Sequence, residues 1–513
     1  MKVLSLKGLS QLVFLSFILL AGCASYENEP SEEMTTLTVE LFDRFNTPAG
    51  APPLTDNAIT QYIQEQFGDP NGIRVQFVTV PRAEEVSRLH ILMDANQAPD
   101  IIFTYDIPTV QHFVNQGQLT DLGPLIEEHG PDLKKLLGDV LKFGVFDGKQ
   151  YAIPAKRVLT AQTTTIIRED WLNQLGLSLP ETTEQFYEAL KAFKDHNPGN
   201  SRLGVIPYGL VAPFHMAPLK YAFWDWDQIS EEDLYAQPHW LMPGNKEAFR
   251  FLNKLYHEKL IDPDFALHMN RDTQYFQKDL VGGRIGAATP NTNEPVYMGY
   301  LAELQKNDPN AILTPIDPFT SSDGKRRKPV FQGHGMFIMV PKSSNNAEAA
   351  IKYLNWMAQP EHYMTLQNGF EGVTYQMEDG LPVTLDNEEA RQMLYNYFDY
   401  CIIINGKLVD VDNEELNILA NATDEKYREF TLKSIEFGMN DGVVEPHVPA
   451  IIHSEIKYSQ LLNDKDEEIF VKVITAHPEQ FDDIYDAEVA EYMRIGGQQV
   501  MEEKRAAYRA HAR

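Results

Sequence analysis

Cysteine is nearly absent from this chain: of 513 residues only Cys23 and Cys401 carry a thiol. A disulfide framework is thereby excluded as the source of stability, and no CxxC or Cys/His cluster offers a structural zinc site. Basic residues are scarce too, 44 against 74 acidic ones, for a formal charge of -30. That balance repels phosphate backbones and argues against nucleic acid as a partner. It suits a soluble protein in an extracytoplasmic or salty setting. The apolar run at 12–20 is too short to stay in a bilayer as a resident helix. No GxSxG, HExxH or Walker sequence occurs, and no internal repeat. Carboxylates abound, but nothing fixes the separation that would mark a glycosidase pair among them.

What is present suffices for a globular core: hydrophobic residues make 43% and aromatics 11% of the chain, enough for two or three domains. Strand patterns at 37–42, 73–80 and 101–103 alternate with helical ones after Asp56 and over 82–94. That βαβαβ order predicts a largely parallel sheet covered on both faces. Asp56 is placed to cap the first helix, where Ile59, Ile63 and Phe67 share a face. Farther on, 163–167 reads as a β-branched strand and 168–176 as a short helix ended by Gly176, since glycine takes a positive φ cheaply. Thr182 and Gln185 have capping-box spacing for the next helix. Phe186, Leu190 and Phe193 make one buried stripe.

At the N-terminus Lys2 and Lys7 precede the apolar run, which ends in Leu20-Ala21-Gly22-Cys23. This resembles the lipobox of bacterial lipoproteins, with Cys23 as the lipidated atom, and residues 1–23 read as a leader. Other segments also resemble a known family: GKQYAIP, IIREDWLNQLGLSLPETTEQFYEALKAFK and IPYG across 148–209. Ala98-Pro99-Asp100-Ile101-Ile102, LGPLIEEHG, LYHEKLIDPDF, GFEGVTY and GGQQV follow the same pattern, in order. Together they are similar to the family 1 extracellular solute-binding proteins of bacterial ABC importers, nearest the large lipoprotein branch with the alginate-oligosaccharide binders and LplA-type lipoproteins.

The resemblance implies an α/β, two-lobed periplasmic-binding-protein-like fold of type II with a multi-crossing hinge. It divides the chain into a leader at 1–23, a tether at 24–36, a first lobe at 37–155 plus 330–375, and a second at 156–329 plus 376–513. It also implies a non-enzyme that takes a carbohydrate between its lobes and hands it to ABC permease subunits, without a cofactor. Such a chain is expected to be a monomer held at the cell membrane by its lipid, facing the periplasm or exterior. Two alternatives stay open: a surface-anchored polysaccharide-degrading enzyme, and a binder of peptides or other solutes.

Sugar sites need flat rings for C–H faces and paired polar groups for hydroxyls. Tyr221-Ala222-Phe223-Trp224-Asp225-Trp226-Asp227 supplies both, which nominates Trp224 and Trp226; Trp240 is a third candidate. Ligands of doubly wound sheets sit beyond the carboxyl ends of the strands. That rule nominates Asp43, Arg44, Tyr105 and Asp106, and at the crossings Lys156, Arg157, His334 and Glu371. Lys156 and Arg157 leave room for an acidic sugar. Arg168 with Asp170 matches the family's RxDWL, a pair that fits a structural role equally well. In the alginate-binding relatives the segment after the long helix forms an EF-hand-like calcium loop. Here Asp195 and Asn197 hold the first alternate places, but Leu203 and Gly204 replace the later acids, so no metal site is expected.

Overall fold

In the computed structural model, residues 34–210, 212–268 and 273–511 are described. The leader with Cys23 and residues 24–33 of the tether lie outside them. The last residues assigned to the tether are already strand, because Thr35 and Thr36 pair with Ile73 and Arg74.

Two sheets organise the chain. In the first, Thr35–Asp43 pairs in parallel with Ile73–Pro81 and, through a parallel Val39–Ile101 bridge, with the start of Ile102–Thr104. His334–Met339 comes next, then Ile153–Arg157, then Ile404–Asn405. The sheet departs from the expected parallel order at His334–Met339, which runs against both neighbours because it enters from the other lobe. Leu37, Val39 and Leu41 alternate onto one buried face, and Glu40 and Phe42 are buried on the other, so the end of the strand is covered on both sides. The helix Ala58–Ile63 is capped one residue away from the expected place. Asn57 Oδ1, not Asp56, accepts from the Ile59 and Thr60 amides at 3.0 and 3.2 Å, and Thr60 completes the box.

The second sheet orders Leu313–Ile316, Thr165–Arg168, Ile285–Ala288 and Ile206–Gly209. Gly176, at φ 69°, ends the helix Glu169–Leu175. Thr182 caps Thr183–His196 by accepting the Gln185 amide at 3.2 Å, while Gln185 returns to the Glu181 amide at 2.8 Å. Phe186, Leu190 and Phe193 are fully buried, each side chain contributing up to about 1.5–3 kcal/mol of transfer free energy. Asn245–His257 and the long C-terminal helix His453–Thr475 pack together against the same core.

Among the described residues, three segments cross between the lobes: 158–164, 317–333 and 409–427. An antiparallel Ala161–Val330 bridge and a 2.7 Å bond from the Phe331 amide to the Thr160 carbonyl join the first two. Lys328–Pro329 pairs with Gly442–Val443 beside them. Gly438 allows the helix Arg428–Met439 to approach; a Cβ there would meet Thr292 Oγ1 at 2.7 Å and the Ala161 Cβ at 2.8 Å. One expected boundary needs correction. Tyr400, Cys401, Ile402, Ile403, Ile404 and Leu408 belong to the first-lobe core, and Ile404–Asn405 extends the first sheet. The chain therefore stays in the first lobe well past residue 375, because this apolar run needs a sheet edge to cover it. Cys401 is a buried free thiol within that run.

Candidate functional site

Thr35–Asp43, Ile102–Thr104 and Ile153–Arg157 run in one direction, so their C-terminal ends bring Asp43 and Arg44, Tyr105 and Asp106, and Lys156 and Arg157 to one edge. Their side chains then do different things. Asp43 Oδ1 accepts from the Phe45 amide at 2.8 Å, which holds Phe45 at φ 53° with its ring 76% exposed. Arg44 donates through Nε and Nη2 to Asp399 at 2.8 and 2.9 Å. Burial alone would lower its pKa, but the bond to Asp399 wins and raises it. Asp106 caps the helix Ile107–Asn115, accepting the Thr109 amide at 2.9 Å and its hydroxyl at 2.6 Å.

Arg157 is held differently. Its Nε donates to the His334 carbonyl at 3.0 Å and its Nη1 to Asn405 Oδ1 at 2.8 Å. The Asn405 amide in turn donates to the Tyr105 hydroxyl at 3.1 Å. The Phe331 ring lies under the guanidinium at 3.9 Å. Burial pushes the Arg157 pKa down to about 10. Lys156 precedes it on the same strand and so points to the opposite face of the sheet.

A cavity of about 260 Å³ opens beside Arg157. Leu159, Gln162 and Phe331 of the crossings line it, with Asn291, Thr292, Asn293 and Tyr297 of the second lobe and Tyr397 and Asn405 of the first. Tyr297 is 52% exposed and lies near enough to Arg44 for the two to interact electrostatically across the cleft. A second cavity of about 360 Å³ is lined by Tyr105, Asp106, Phe143, His334, Glu445 and His447, among others. The Arg157–Asn405–Tyr105 chain forms a common wall between the two. His334 stacks on Phe143 at 4.5 Å between centroids, and burial lowers its pKa.

Several nominated residues lie elsewhere. Trp224 is a core residue: it is 4% exposed, its Nε1 donates to Asn245 Oδ1 at 3.1 Å, and its ring lies 4.2 Å from that of Tyr221. Trp226, half-buried beside it, donates to the Tyr221 carbonyl at 2.9 Å and stacks with Arg327. Trp240 is buried against Phe249 and donates to Asp466 at 2.6 Å. The aromatic segment is a helix end and a turn; it buries Trp224, Trp240 lies in the second-lobe core, and Trp226 keeps a partly exposed ring against Arg327 of the 317–333 crossing. Arg168 is 1% exposed and pairs with Asp170 at 2.6 Å and Asp308 at 2.9 Å, so its role is structural. Glu371 is exposed in a first-lobe turn after the helix Pro360–Asn368, not at a crossing between lobes.

The segment after Thr183–His196 does not fit calcium. Asn197 takes the left-handed conformation at φ 46° and donates its amide to the Ser201 carbonyl at 3.1 Å. Asp195 is exposed beside Lys194, and Gly199 lets the loop close over the Trp171 ring. The Asn197 Nδ2 donor is spent on Ser201, its Oδ1 has no partner among the described residues, and with one carboxylate beside it the loop falls short of the six to eight oxygens calcium needs. Among the described residues, no group of three or more His, Cys, Asp or Glu is arranged to hold a metal ion.

The cavity also gathers residues that were not nominated: Gln162, Asn291, Thr292, Tyr297, Phe331 and Tyr397. The rule of carboxyl ends, applied to the second sheet as well as the first, finds Asn291 to Tyr297, because they follow directly on Ile285–Ala288. No comparable signal marks Tyr397 or Phe331.

The family model described as "Bacterial extracellular solute-binding protein" matches residues 51–364. Lipoprotein LipO of Bacillus subtilis (strain 168) is 26% identical over 397 residues, 75% of this chain and 76% of LipO. The polygalacturonan/rhamnogalacturonan-binding protein YtcQ of the same organism is 22% identical over 448 residues, 84% of each chain. Among solved structures, the S. pneumoniae ABC-transporter substrate-binding protein FusA, as an EF-hand mutant in complex with fructo-nystose, aligns with a TM-score of 0.69 at 15% identity. That alignment covers 93% of this chain and 99% of FusA, and it carries the two-lobed fold. With a family match over more than half its length and two sheets joined by three crossings, this chain belongs to the bacterial extracellular solute-binding proteins.

Proposed function

We propose that this chain is the lipid-anchored receptor of an ABC importer, closing its two lobes over an oligosaccharide and delivering it to permease subunits. It acts as a monomer, tethered through Cys23 to the cell membrane and facing the periplasm or exterior. The observation that carries the reading is the wall of the cavity beside Arg157: the rings of Phe331, Tyr297 and Tyr397 stand next to Gln162, Asn291 and Thr292, where hinge and both lobes meet. Rings cover the apolar faces of a sugar, and amides and hydroxyls bond its hydroxyl groups. The names of YtcQ and FusA's bound ligand agree with that chemistry. A glycoside hydrolase of the usual kind would need two carboxyl groups about 5–9.5 Å apart. Among the described residues lining this cavity there is neither Asp nor Glu.

A thermal-shift screen of oligosaccharides and peptides, followed by small-angle scattering at saturating ligand, tests the reading. An oligosaccharide is expected to raise the melting temperature and to reduce the radius of gyration as nearly rigid lobes rotate together. Stabilisation by peptides alone, or turnover of a glycan by the pure protein, overturns it. Cys23→Ser is expected to release the protein from membranes; unchanged fractionation rejects the anchor.

A further inference from the structure

We propose that the bound oligosaccharide carries a carboxylate and that Arg157 is its receptor. The proposal rests on the oligosaccharide reading above and narrows it to acidic sugars. Three arginines serve the first-lobe edge, and two of them are neutralised by the protein. Arg44 forks onto Asp399 at 2.8 and 2.9 Å, and Arg82 pairs with Glu85 at 3.2 Å. Arg157 has no carboxylate partner among the described residues. Its contacts are neutral: the His334 carbonyl, the Asn405 side-chain oxygen and the Phe331 ring.

A guanidinium has five N–H donors in a fixed fork. Those contacts use Nε and one hydrogen of Nη1, which leaves the rest of the outer edge for the cavity that Arg157 lines. Phe331 covers one face of the plane, so a ligand meets the guanidinium edge-on, the approach that a carboxylate uses to accept two parallel bonds. The geometry is also fixed in advance, because Asn405 is itself held by Tyr105. A partly desolvated charge with no counter-ion is unfavourable until one arrives, and the downward shift of the Arg157 pKa reflects that burial. The cavity wall carries no acid among the described residues, so nothing at the site itself repels an anion despite the chain's charge of -30. A sugar hydroxyl can accept from the same edge, but it brings no charge to balance the guanidinium.

Isothermal titration with an α-1,4-linked galacturonate trimer and a β-1,4-linked mannuronate trimer, each beside its carboxyl-reduced counterpart, tests the proposal. Neutral fructan and glucan oligomers form the third set. At least one uronate trimer is expected to bind about 10- to 150-fold tighter than its reduced form, the range for hydrogen bonds to a charged group. Arg157→Gln should erase that difference, weakening the uronate trimer far more than its reduced form, and Arg157→Lys, which keeps the charge without the fork, should restore part of it. Melting curves check that both variants fold, and the lysine variant carries the test if the glutamine variant does not. Equal binding of uronate and reduced trimers overturns the proposal. So does an Arg157→Gln variant that weakens both equally, which would make the arginine architectural. Binding of the fructan or glucan oligomers alone overturns the carboxylate and leaves the oligosaccharide reading standing. Binding of none of the three sets overturns both.

Discussion

The tryptophan segment at 221–226 and the cavity beside Arg157 both gather aromatic rings with polar groups, yet they use them in opposite ways. In the segment both indole N–H groups are consumed within the protein: Trp224 Nε1 by Asn245, Trp226 Nε1 by the Tyr221 carbonyl. In the cavity, the Tyr297 ring is half exposed and the Arg157 fork is only partly used. A buried indole whose N–H is satisfied and whose faces are covered has nothing left to offer a ligand. The difference teaches that aromatic content nominates a region, and the partner of the polar atom decides whether it is core or cleft.

Truncation should separate the two regions most sharply. Trp224→Ala is expected to destabilise the protein by about 3–5 kcal/mol, because it opens a cavity under Tyr221 and strands the Asn245 side chain. Its ligand affinity, measured below the lowered melting point, should be unchanged. Tyr297→Ala should show the reverse: stability within about 0.5 kcal/mol of the parent, with ligand affinity down by about 1–3 kcal/mol. Paired denaturation and titration curves on both variants read the contrast. A Trp224 variant that folds normally and loses ligand would put the site back on the second-lobe segment.

The division into lobes came from the family resemblance; what period and punctuation made legible were single elements. The stripe of Phe186, Leu190 and Phe193, the stop at Gly176 and the strand after Pro99 all act locally. The carboxyl-end rule reached Arg157 because it needs only the direction of one strand. It missed Tyr397 because that residue comes to the cavity through a long return of the chain to the first lobe. The return depends on Cys401 to Ile404 finding a sheet edge at Ile153–Arg157, a pairing between segments some 250 residues apart that leaves no local trace. The tryptophans misled for a related reason. Their neighbours in sequence, Asp225 and Asp227, suggested a wet loop, while the partner that buries Trp224 is Asn245, twenty-one residues away.

Glu40 sharpens the comparison from another side, since it shows an unused polar atom that is not a binding site. Its Oε2 accepts the Phe103 amide at 2.9 Å, its Oε1 has no partner among the described residues, and the residue is 1% exposed. Burial, opposed by that amide bond, raises its pKa from 4.5 to about 8, with Glu85 and Asp399 adding to the rise and Arg82 opposing it. The folded protein thus keeps a proton that the unfolded chain releases near 4.5. Between those limits the native state binds more protons, so stability falls as pH rises and the loss is complete only above about 8. Urea denaturation at roughly pH 5, 7 and 9 should show a decline on the order of a few kcal/mol. Glu40→Gln should flatten that slope and exceed the parent's stability at the alkaline end. An unchanged slope in the variant would assign the decline to other groups, Glu85 first among them, whose pKa burial also raises.

The smallest expected effect is the response to calcium, and it applies the same criterion to a loop. At 195–204 the loop is braced from within: the Asn197 side-chain amide donates to the Ser201 carbonyl at 3.1 Å, and Gly199 brings the backbone down onto Trp171, while Asn197 Oδ1 is buried without a partner among the described residues. A cation entering there would find that oxygen and one exposed carboxylate, Asp195, too few for its shell. A ligand present at a hundred times its dissociation constant stabilises the folded state by about 2.7 kcal/mol. Millimolar calcium against chelator should instead shift the melting temperature by less than about 1 °C, well below what such linkage would give. Asn197→Ala should cost about 1–2 kcal/mol, since it removes the brace and puts a Cβ residue without a local hydrogen bond at positive φ. If the loop instead depended on an ion, calcium would stabilise the parent by at least 2 kcal/mol on the linkage scale and Asp195→Ala would abolish the gain. In that case the orphaned Asn197 Oδ1 would mark a site, and the weight given to the loop's internal brace would fail.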